Sequence, residues 1–298
     1  MTGTWDDKYD LLSATRPNYH NEDYWRFLVR DVWGMADGPR RVVDFGCGFG
    51  WMGLFLTPML AVGSEYTGLD RSAPLIARGR SLVAERGPAH RFVVGDATAA
   101  PFDDDQFDVA IAHALLMHLP DPGRALGEMI RVTRDGGLVV TCDASHNAIN
   151  ALMHVHETDE QDNTPLSLFQ AMNAGLRRRT GVDHNIGMKT PVLMRQAGLQ
   201  GVQARISDAV RLSFPPLDTP EKDRLFTSIC DDGLALSPMD EARFEQAVLS
   251  MMARGAPRAA AEAELWREIN NDYRTLGRDF HIVAPGLIAI SFGTVSKG

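Results

Sequence analysis

Arg41-Val-Val-Asp-Phe-Gly-Cys-Gly-Phe-Gly50 decides the fold, because an apolar run ends in an acid and passes directly into three alternating glycines. The run reads as a buried strand turning into a ligand loop. Glycine serves where the backbone takes a positive φ or approaches a ligand closely, and the helix expected after the loop offers unpaired N–H groups at its start. Together these features point to a nucleotide-like ligand.

Two further acids repeat the theme downstream. Glu65-Tyr-Thr-Gly-Leu-Asp70 reads as a short strand ending in Asp70, and Arg91-Phe-Val-Val-Gly-Asp-Ala97 ends in Asp96. In an open parallel sheet the carboxyl ends of the strands line one crevice, so Asp44, Asp70 and Asp96 are expected to converge on one ligand. Such acids suit hydroxyls, amines and cations and speak against phosphates. A nicotinamide dehydrogenase is the competing reading, since Gly48-Phe-Gly-Trp-Met-Gly53 is a literal G-x-G-x-x-G with an acid downstream. Taken alone that match is weak, and neither Asp44 nor Asp96 belongs to the dinucleotide pattern.

The spacing Asp44-x-Gly46-x-Gly48-x-Gly50 resembles motif I of the class I S-adenosylmethionine-dependent methyltransferases. The resemblance continues through Phe102-Asp-Asp-Asp-Gln-Phe-Asp108-Val-Ala-Ile-Ala-His113, which is similar to the family's fourth strand. Leu119-Pro-Asp-Pro122 and Arg131-Val-Thr-Arg-Asp-Gly-Gly137-Leu-Val-Val are similar to its next helix and fifth strand. It covers the stretch from Arg41 to Cys142. The resemblance implies S-adenosylmethionine as cofactor, S-adenosylhomocysteine as product, and methyl transfer by in-line displacement.

Carried over residue by residue, the resemblance puts Asp44, Gly46, Gly48 and Gly50 around the cofactor. It puts Asp70, followed by Arg71, at the ribose hydroxyls, and Asp96-Ala97 at the adenine amine. In related enzymes the N-terminal segment folds over the methionine end, which makes Arg16, Tyr19 and Asn21 candidates there; the aromatics of that stretch serve equally well as staples of a helix on the core. His113 stands nearer the cofactor end, and His118 is the candidate base on the acceptor side.

The alternation of strands and helices from Arg41 to Cys142 predicts an α/β fold. The expectation is a doubly wound, seven-stranded, mainly parallel sheet of Rossmann-like type, with N-terminal helices and helical insertions after strand five and between strands six and seven. The 298 residues are read as a single domain: a helical cap over 1–36, a cofactor-binding core over 37–144, and a substrate-side half over 145–298. Residues 5–36 read as helical, Gly201–Leu212 as strand six and Gly286–Gly293 as strand seven. The acidic, Ala-rich insertion of about 213–281 is expected to be helical, as a substrate lid or an oligomer contact. Ser72 and Asp121 with Pro122 are expected to open helices.

The formal net charge of -9 disfavours nucleic acid, and Arg177-Arg-Arg179 reads as a solvated helix face. Three cysteines without ligand spacing fit reduced thiols. His154-x-His156-Glu157-x-Asp159, with His146 and His184, invites a metal reading, but histidines two apart point in different directions on a helix, so no metal is expected. No apolar stretch is long enough for a membrane span and no basic-then-apolar leader stands at the start, so a cytoplasmic protein is expected. A homodimer is the base-rate expectation. These properties favour a small-molecule acceptor, as in natural-product tailoring, enclosed beneath helices. Two alternatives stay open: a tRNA or protein methyltransferase, and a cofactor-binding protein with a non-methylating role such as cyclisation.

Overall fold

The computed structural model describes residues 5–84, 89–155, 166–229, 241–270 and 277–298. Its strands are β1 (Arg41–Phe45), β2 (Glu65–Asp70), β3 (His90–Val94), β4 (Phe107–His113), β5 (Thr133–Ala144), β6 (His154–Val155), β7 (Gln200–Ile206), β8 (Val210–Ser213), β9 (Ile282–Pro285) and β10 (Ile288–Thr294). Seven of them form one sheet in the order β3-β2-β1-β4-β5-β10-β7. The pairs from β3 to β5 are parallel, and β10 runs antiparallel to both of its neighbours. The chain winds outward from β1 to β3, then restarts at β4 on the other side of β1. That reversal opens a crevice beyond the carboxyl ends of β1 and β4.

The helices are α1 (Tyr9–Thr15), α2 (Glu22–Phe27), α3 (Trp51–Leu56), α4 (Ala73–Val83), α5 (Pro122–Val132), α6 (His146–Leu152), α7 (Leu166–Thr180), α8 (Thr190–Gln196), α9 (Pro220–Ile229), α10 (Glu241–Ala253) and α11 (Arg258–Asn270). Successive strand residues face opposite sides of a sheet, so near-continuous apolar strands require cover on both faces. One face packs Val42, Ile111, Val140 and Ile290 with Trp25, Leu28, Met52 and Leu56. The other packs Val43, Phe45, Ala110 and Val139 with Leu126, Met129 and Met194. Each fully buried aliphatic side chain of this kind contributes about 1.5–3 kcal/mol. The helix starts follow the sequence: Ser72 Oγ accepts from Leu75 N–H at 3.3 Å, and Asp121 Oδ1 from Arg124 N–H at 3.3 Å, with Pro122 in the first turn.

The structure details one local reading and corrects another. The 5–36 region is a run of short helices: α1 tightens into a 3-10 turn over Arg16–Tyr19, and His20 is extended at φ -142 and ψ 131 before α2 begins. Pro17 removes a backbone donor there, and the extended His20 delivers its ring to the sheet. The expected strand six, Gly201–Leu212, is two strands. β7 leaves the main sheet at Ser207, whose N–H bonds Ile288 O at 2.8 Å, and β8 joins a separate sheet in the order β6-β9-β8. On β8 the period-2 pattern is inverted, with Arg211 and Ser213 buried and Val210 and Leu212 exposed.

That small sheet takes β6 from the segment after β5 and β8 and β9 from the segment between β7 and β10, so it ties the two insertions together. Helices from both also share a core, in which Val248, Met251, Ala261 and Leu265 pack with Met172 and Phe244. Leu249 and Met252 of α10 are exposed. No helix among the described residues is long and apolar enough to cross a membrane.

Gly53 sits where α3 crosses β2: a Cβ there would stand 2.5 Å from the Tyr66 ring, which is 1% exposed. Gly53→Val is therefore expected to cost about 1–3 kcal/mol through overpacking, read as a lower midpoint in urea unfolding at unchanged slope.

Candidate functional site

A cavity of about 280 Å³ lies at the crevice, lined by Asp44, Gly46, Cys47, Gly48, Asp70, Arg71, Asp96, Ala97, His113, His118 and Arg16 among others. The fold brings these residues together from four strand ends, the loops that follow them and the N-terminal segment. In the loop after β1, Gly46 (φ +71) and Gly50 (φ +83) are glycines for packing as well as conformation, since a Cβ would stand 2.7 Å from Leu115 Cδ1 and 2.5 Å from Phe92 Cε1 respectively. Gly48 differs. Its φ is +56, but a Cβ would meet only Leu12 at 3.5 Å and Leu75 at 3.9 Å, so the space beside it is left open toward the cavity.

Asp44 is 1% exposed. Tyr66 donates to its Oδ2 at 2.6 Å, while its Oδ1 has no hydrogen-bond partner among the described residues. Burial pushes this carboxyl up to about 7, against the opposing pull of the Tyr66 hydrogen bond and the Arg16 charge. Such a group gains most from a ligand that brings a donor or a cation to the second oxygen.

Asp70 is already shaping the loop. Its Oδ2 accepts from Gly48 N–H and its Oδ1 from Ser72 N–H, both at 2.8 Å, which leaves each oxygen with a further lone pair. Asp96 is exposed, and its Oδ1 accepts from Thr98 N–H at 2.7 Å and from the Thr98 hydroxyl at 2.8 Å, which holds the carboxyl below its ordinary range. Three carboxylates thus meet one cavity, in the order the sequence predicts.

On the opposite wall, β4 ends in His113, and the next residue, Ala114, takes the left-handed conformation at φ 50. That turn sends Leu115 back over Gly46 and presents His113 to the cavity. Strain of this kind in a non-glycine residue is tolerated where the surroundings over-determine it. His118 lies in the 3-10 turn Leu116–His118, and Asp143 at the end of β5 pins that turn by accepting from Met117 N–H at 3.1 Å. The His118 ring packs edge-on against Trp5 with centroids 4.8 Å apart, and burial lowers it to about 3.

The N-terminal segment closes the cavity through Trp5, Leu12 and Arg16. It is held by a hydrogen bond of 2.7 Å from Ser72 Oγ to Asp6 Oδ1, by Tyr9 edge-on to Phe49, and by the Arg78 guanidinium 4.4 Å above the Tyr9 ring. Among the described residues, the 213–281 insertion supplies none of the wall; its α9 contacts α1.

Three of the expected residues stand off the cavity. Tyr19 packs into the main core beneath the Arg211 guanidinium, 4.9 Å from its ring, Asn21 occupies the position before α2, and Gly50 faces Phe92. Conversely Trp5, Leu12, Trp51, Met52 and Thr98 line it without having been singled out in the sequence. Their apolar or short side chains carry no chemical signature, and only the fold gathers them. Of the motif His154-x-His156-Glu157-x-Asp159, His156, Glu157 and Asp159 lie outside the described residues; among those described, no three ligating side chains are placed to hold a metal ion.

Residues 43–141 match a family described as a methyltransferase domain. A demethylmenaquinone methyltransferase of Renibacterium salmoninarum is 37% identical over 122 residues, which is 41% of this chain and 48% of the relative. The chain therefore spans about half the length of this curated relative. Among solved structures, the [4+2]-cyclase SpnF has a TM-score of 0.52 at 17% identity, covering 99% of this chain and 94% of that one. A phosphoethanolamine N-methyltransferase 2 of Haemonchus contortus, in complex with phosphomonomethylethanolamine and S-adenosylhomocysteine, has a TM-score of 0.52 at 14% identity, covering 99% of this chain and 61% of that one. These two likenesses establish the fold.

The site's electrostatics set an acid sensitivity. His20 and His118 are lowered to about 3, and His113 and His184 are lowered too, all chiefly by burial. Unfolded imidazoles titrate near 6.5, so the stability these groups contribute is present above that pH and is lost as the pH falls toward 3. Asp44 and Asp143, both raised to about 7 by burial, act in the opposite sense, losing stability as the pH rises from about 4 to 7. The histidines outnumber the acids, so the melting midpoint is expected to fall between pH 6.5 and pH 4.5. Thermal melts of His118→Gln across that range should show a shallower fall.

Proposed function

We propose, from the premise that residues 43–141 are a class I methyltransferase domain, that this chain binds S-adenosylmethionine in the 280 Å³ cavity and methylates a small-molecule acceptor. One observation carries the reading. Three carboxylates at consecutive strand ends face a single cavity, and the most deeply buried of them has an oxygen with no hydrogen-bond partner among the described residues. That donor-seeking arrangement suits an aminoacyl nucleoside with a cationic centre and does not suit a pyrophosphate.

In this proposal Asp70 and Arg71 hold the ribose side, Asp96, Ala97 and Thr98 the adenine side, and Asp44, Arg16 and His113 the amino-acid end. When bound, the cofactor supplies a methyl group already activated on a sulfonium. The chain's own task is then alignment and exclusion of water. Trp5, Leu12 and Arg16 serve it by covering the cavity. His118 is the residue we assign to the acceptor side. Burial keeps its imidazole neutral and weakly basic, so its part is to accept a hydrogen bond from the incoming nucleophile and orient it, with little proton abstraction of its own. The walls of Trp5, Leu12, Trp51, Met52 and Leu119 favour an acceptor with an apolar body.

Side-by-side calorimetric titration with S-adenosylmethionine, S-adenosylhomocysteine and NADH tests the cofactor. Micromolar binding of the first two alone supports the reading, and binding of NADH alone overturns it. A screen of small acceptors for methyl transfer tests the activity; cofactor binding without any transfer would favour a non-methylating role. Gly48→Val is expected to abolish cofactor binding, because a branched side chain is strained at φ +56 and fills the open space beside the loop. Asp70→Ala is expected to weaken binding by about 1–3 kcal/mol, and an unchanged dissociation constant would remove Asp70 from the ribose.

A further inference from the structure

His20 is a buried, chemically capable side chain that the proposed function leaves unused. It lies in the extended link between α1 and α2, and its Nε2 stands 2.7 Å from His113 Nε2. Aromatic rings enclose it, Trp25 edge-on at 5.0 Å and Trp51 stacked at 5.7 Å, with Phe55 at 6.2 Å. Trp51 also leans on the His113 ring at 5.6 Å, and both line the cavity. His20 itself stands one layer behind that wall.

Two imidazole nitrogens this close need one proton between them. His20 Nδ1 is buried with no hydrogen-bond partner among the described residues, and a buried orphan N–H is rarer and costlier than a buried orphan lone pair, so the His20 proton sits on Nε2. The Nε2 of His113 is then the acceptor, and His20 donates. Both rings are neutral, with His20 lowered to about 3 and His113 lowered well below its ordinary range, by burial first and then by the Arg16 charge. Rotating either ring away would leave a buried nitrogen without its partner, which is costly in an apolar nest.

The link is anchored on its other side as well, since Ser207 Oγ donates to Tyr19 O. Residues 5–19, which carry Trp5, Leu12 and Arg16 into the cavity wall, are therefore fastened to the sheet at His20.

We propose that His20 is a positioning residue whose Nε2–H fixes the His113 ring in the orientation that completes the amino-acid end of the cavity, so that correct seating of the N-terminal segment is a condition of cofactor binding. The inference rests on the cofactor reading given above. It assigns a role to a residue outside the cavity wall, acting through a residue that lines it.

The test compares the full-length chain with His20→Gln, which keeps an N–H donor, and His20→Phe, which keeps an aromatic ring and removes the donor. Each is titrated calorimetrically with S-adenosylhomocysteine, its melting midpoint is recorded, and the His113 ring nitrogens are observed by 15N NMR without ligand. The expected result is a Kd about tenfold weaker for His20→Phe and within about threefold of wild type for His20→Gln. The His113 nitrogen shifts should move only in the Phe variant. Wild-type affinity in the Phe variant overturns the proposal, as does equal weakening in both variants. If the Phe variant does not fold, His20→Asn, whose shorter amide falls short of His113, takes its place with the same expectation. A wild-type chain that binds no S-adenosylhomocysteine overturns the cofactor reading itself, and this inference with it.

Discussion

A carboxylate buried at the end of a central parallel strand is the constraint around which this molecule is arranged. Ionised and unpaired, such a group costs several kcal/mol, and the described residues offer Asp44 one hydrogen bond, from Tyr66. That bond in turn depends on how closely α3 can lie over β2, which is set by the missing side chain at Gly53. The helix that follows the ligand loop, the neighbouring strand and the buried acid are therefore one unit. The deficit left at the second oxygen of Asp44 is a standing preference for a donor or a cation in the cavity.

The acids on either side are treated differently by the fold. Asp70 is spent partly on structure, tying Gly48 and the start of α4 to the end of β2, whereas Asp96 is exposed and pre-ordered by Thr98. Three like charges can share one crevice because one is largely desolvated toward neutrality and the other two are held by N–H and O–H donors. The opposing wall is kept uncharged by burial of its histidines. The cavity is thus lined by carboxylates along β1 to β3 and by neutral imidazoles and aromatic rings beyond β4, with Arg16 and Arg71 as its cationic groups.

The material added to the core is organised separately from the cavity. Among the described residues the two insertions build their own small sheet and their own helical core, and they approach the site through α9 against α1 and through His184, whose ring lies 5.9 Å from that of His118. Cover comes instead from Trp5–Arg16, where Trp5, Tyr9 and Leu12 pack with Phe49 and Leu75, and a hydrogen bond and a cation over a ring add to the attachment.

The mainly parallel, doubly wound sheet, the glycine loop and the three acids were all legible in the sequence, because each rests on a local pattern. Apolar runs of strand length, alternating glycines and a terminal acid carry their meaning within ten residues, and parallel topology brings their ends together without further instruction. The caps at Ser72 and Asp121 belong to the same class. Composition could not show that Gly201–Leu212 divides between two sheets, since the inverted strand Val210–Ser213 has its polar residues inside. Nor could it pair His20 with His113, 93 residues apart. Local spacing determined the strand ends; long-range packing decided what stands opposite them, because a ring's neighbours are set by how distant segments close over the sheet and not by the residues beside it in the chain.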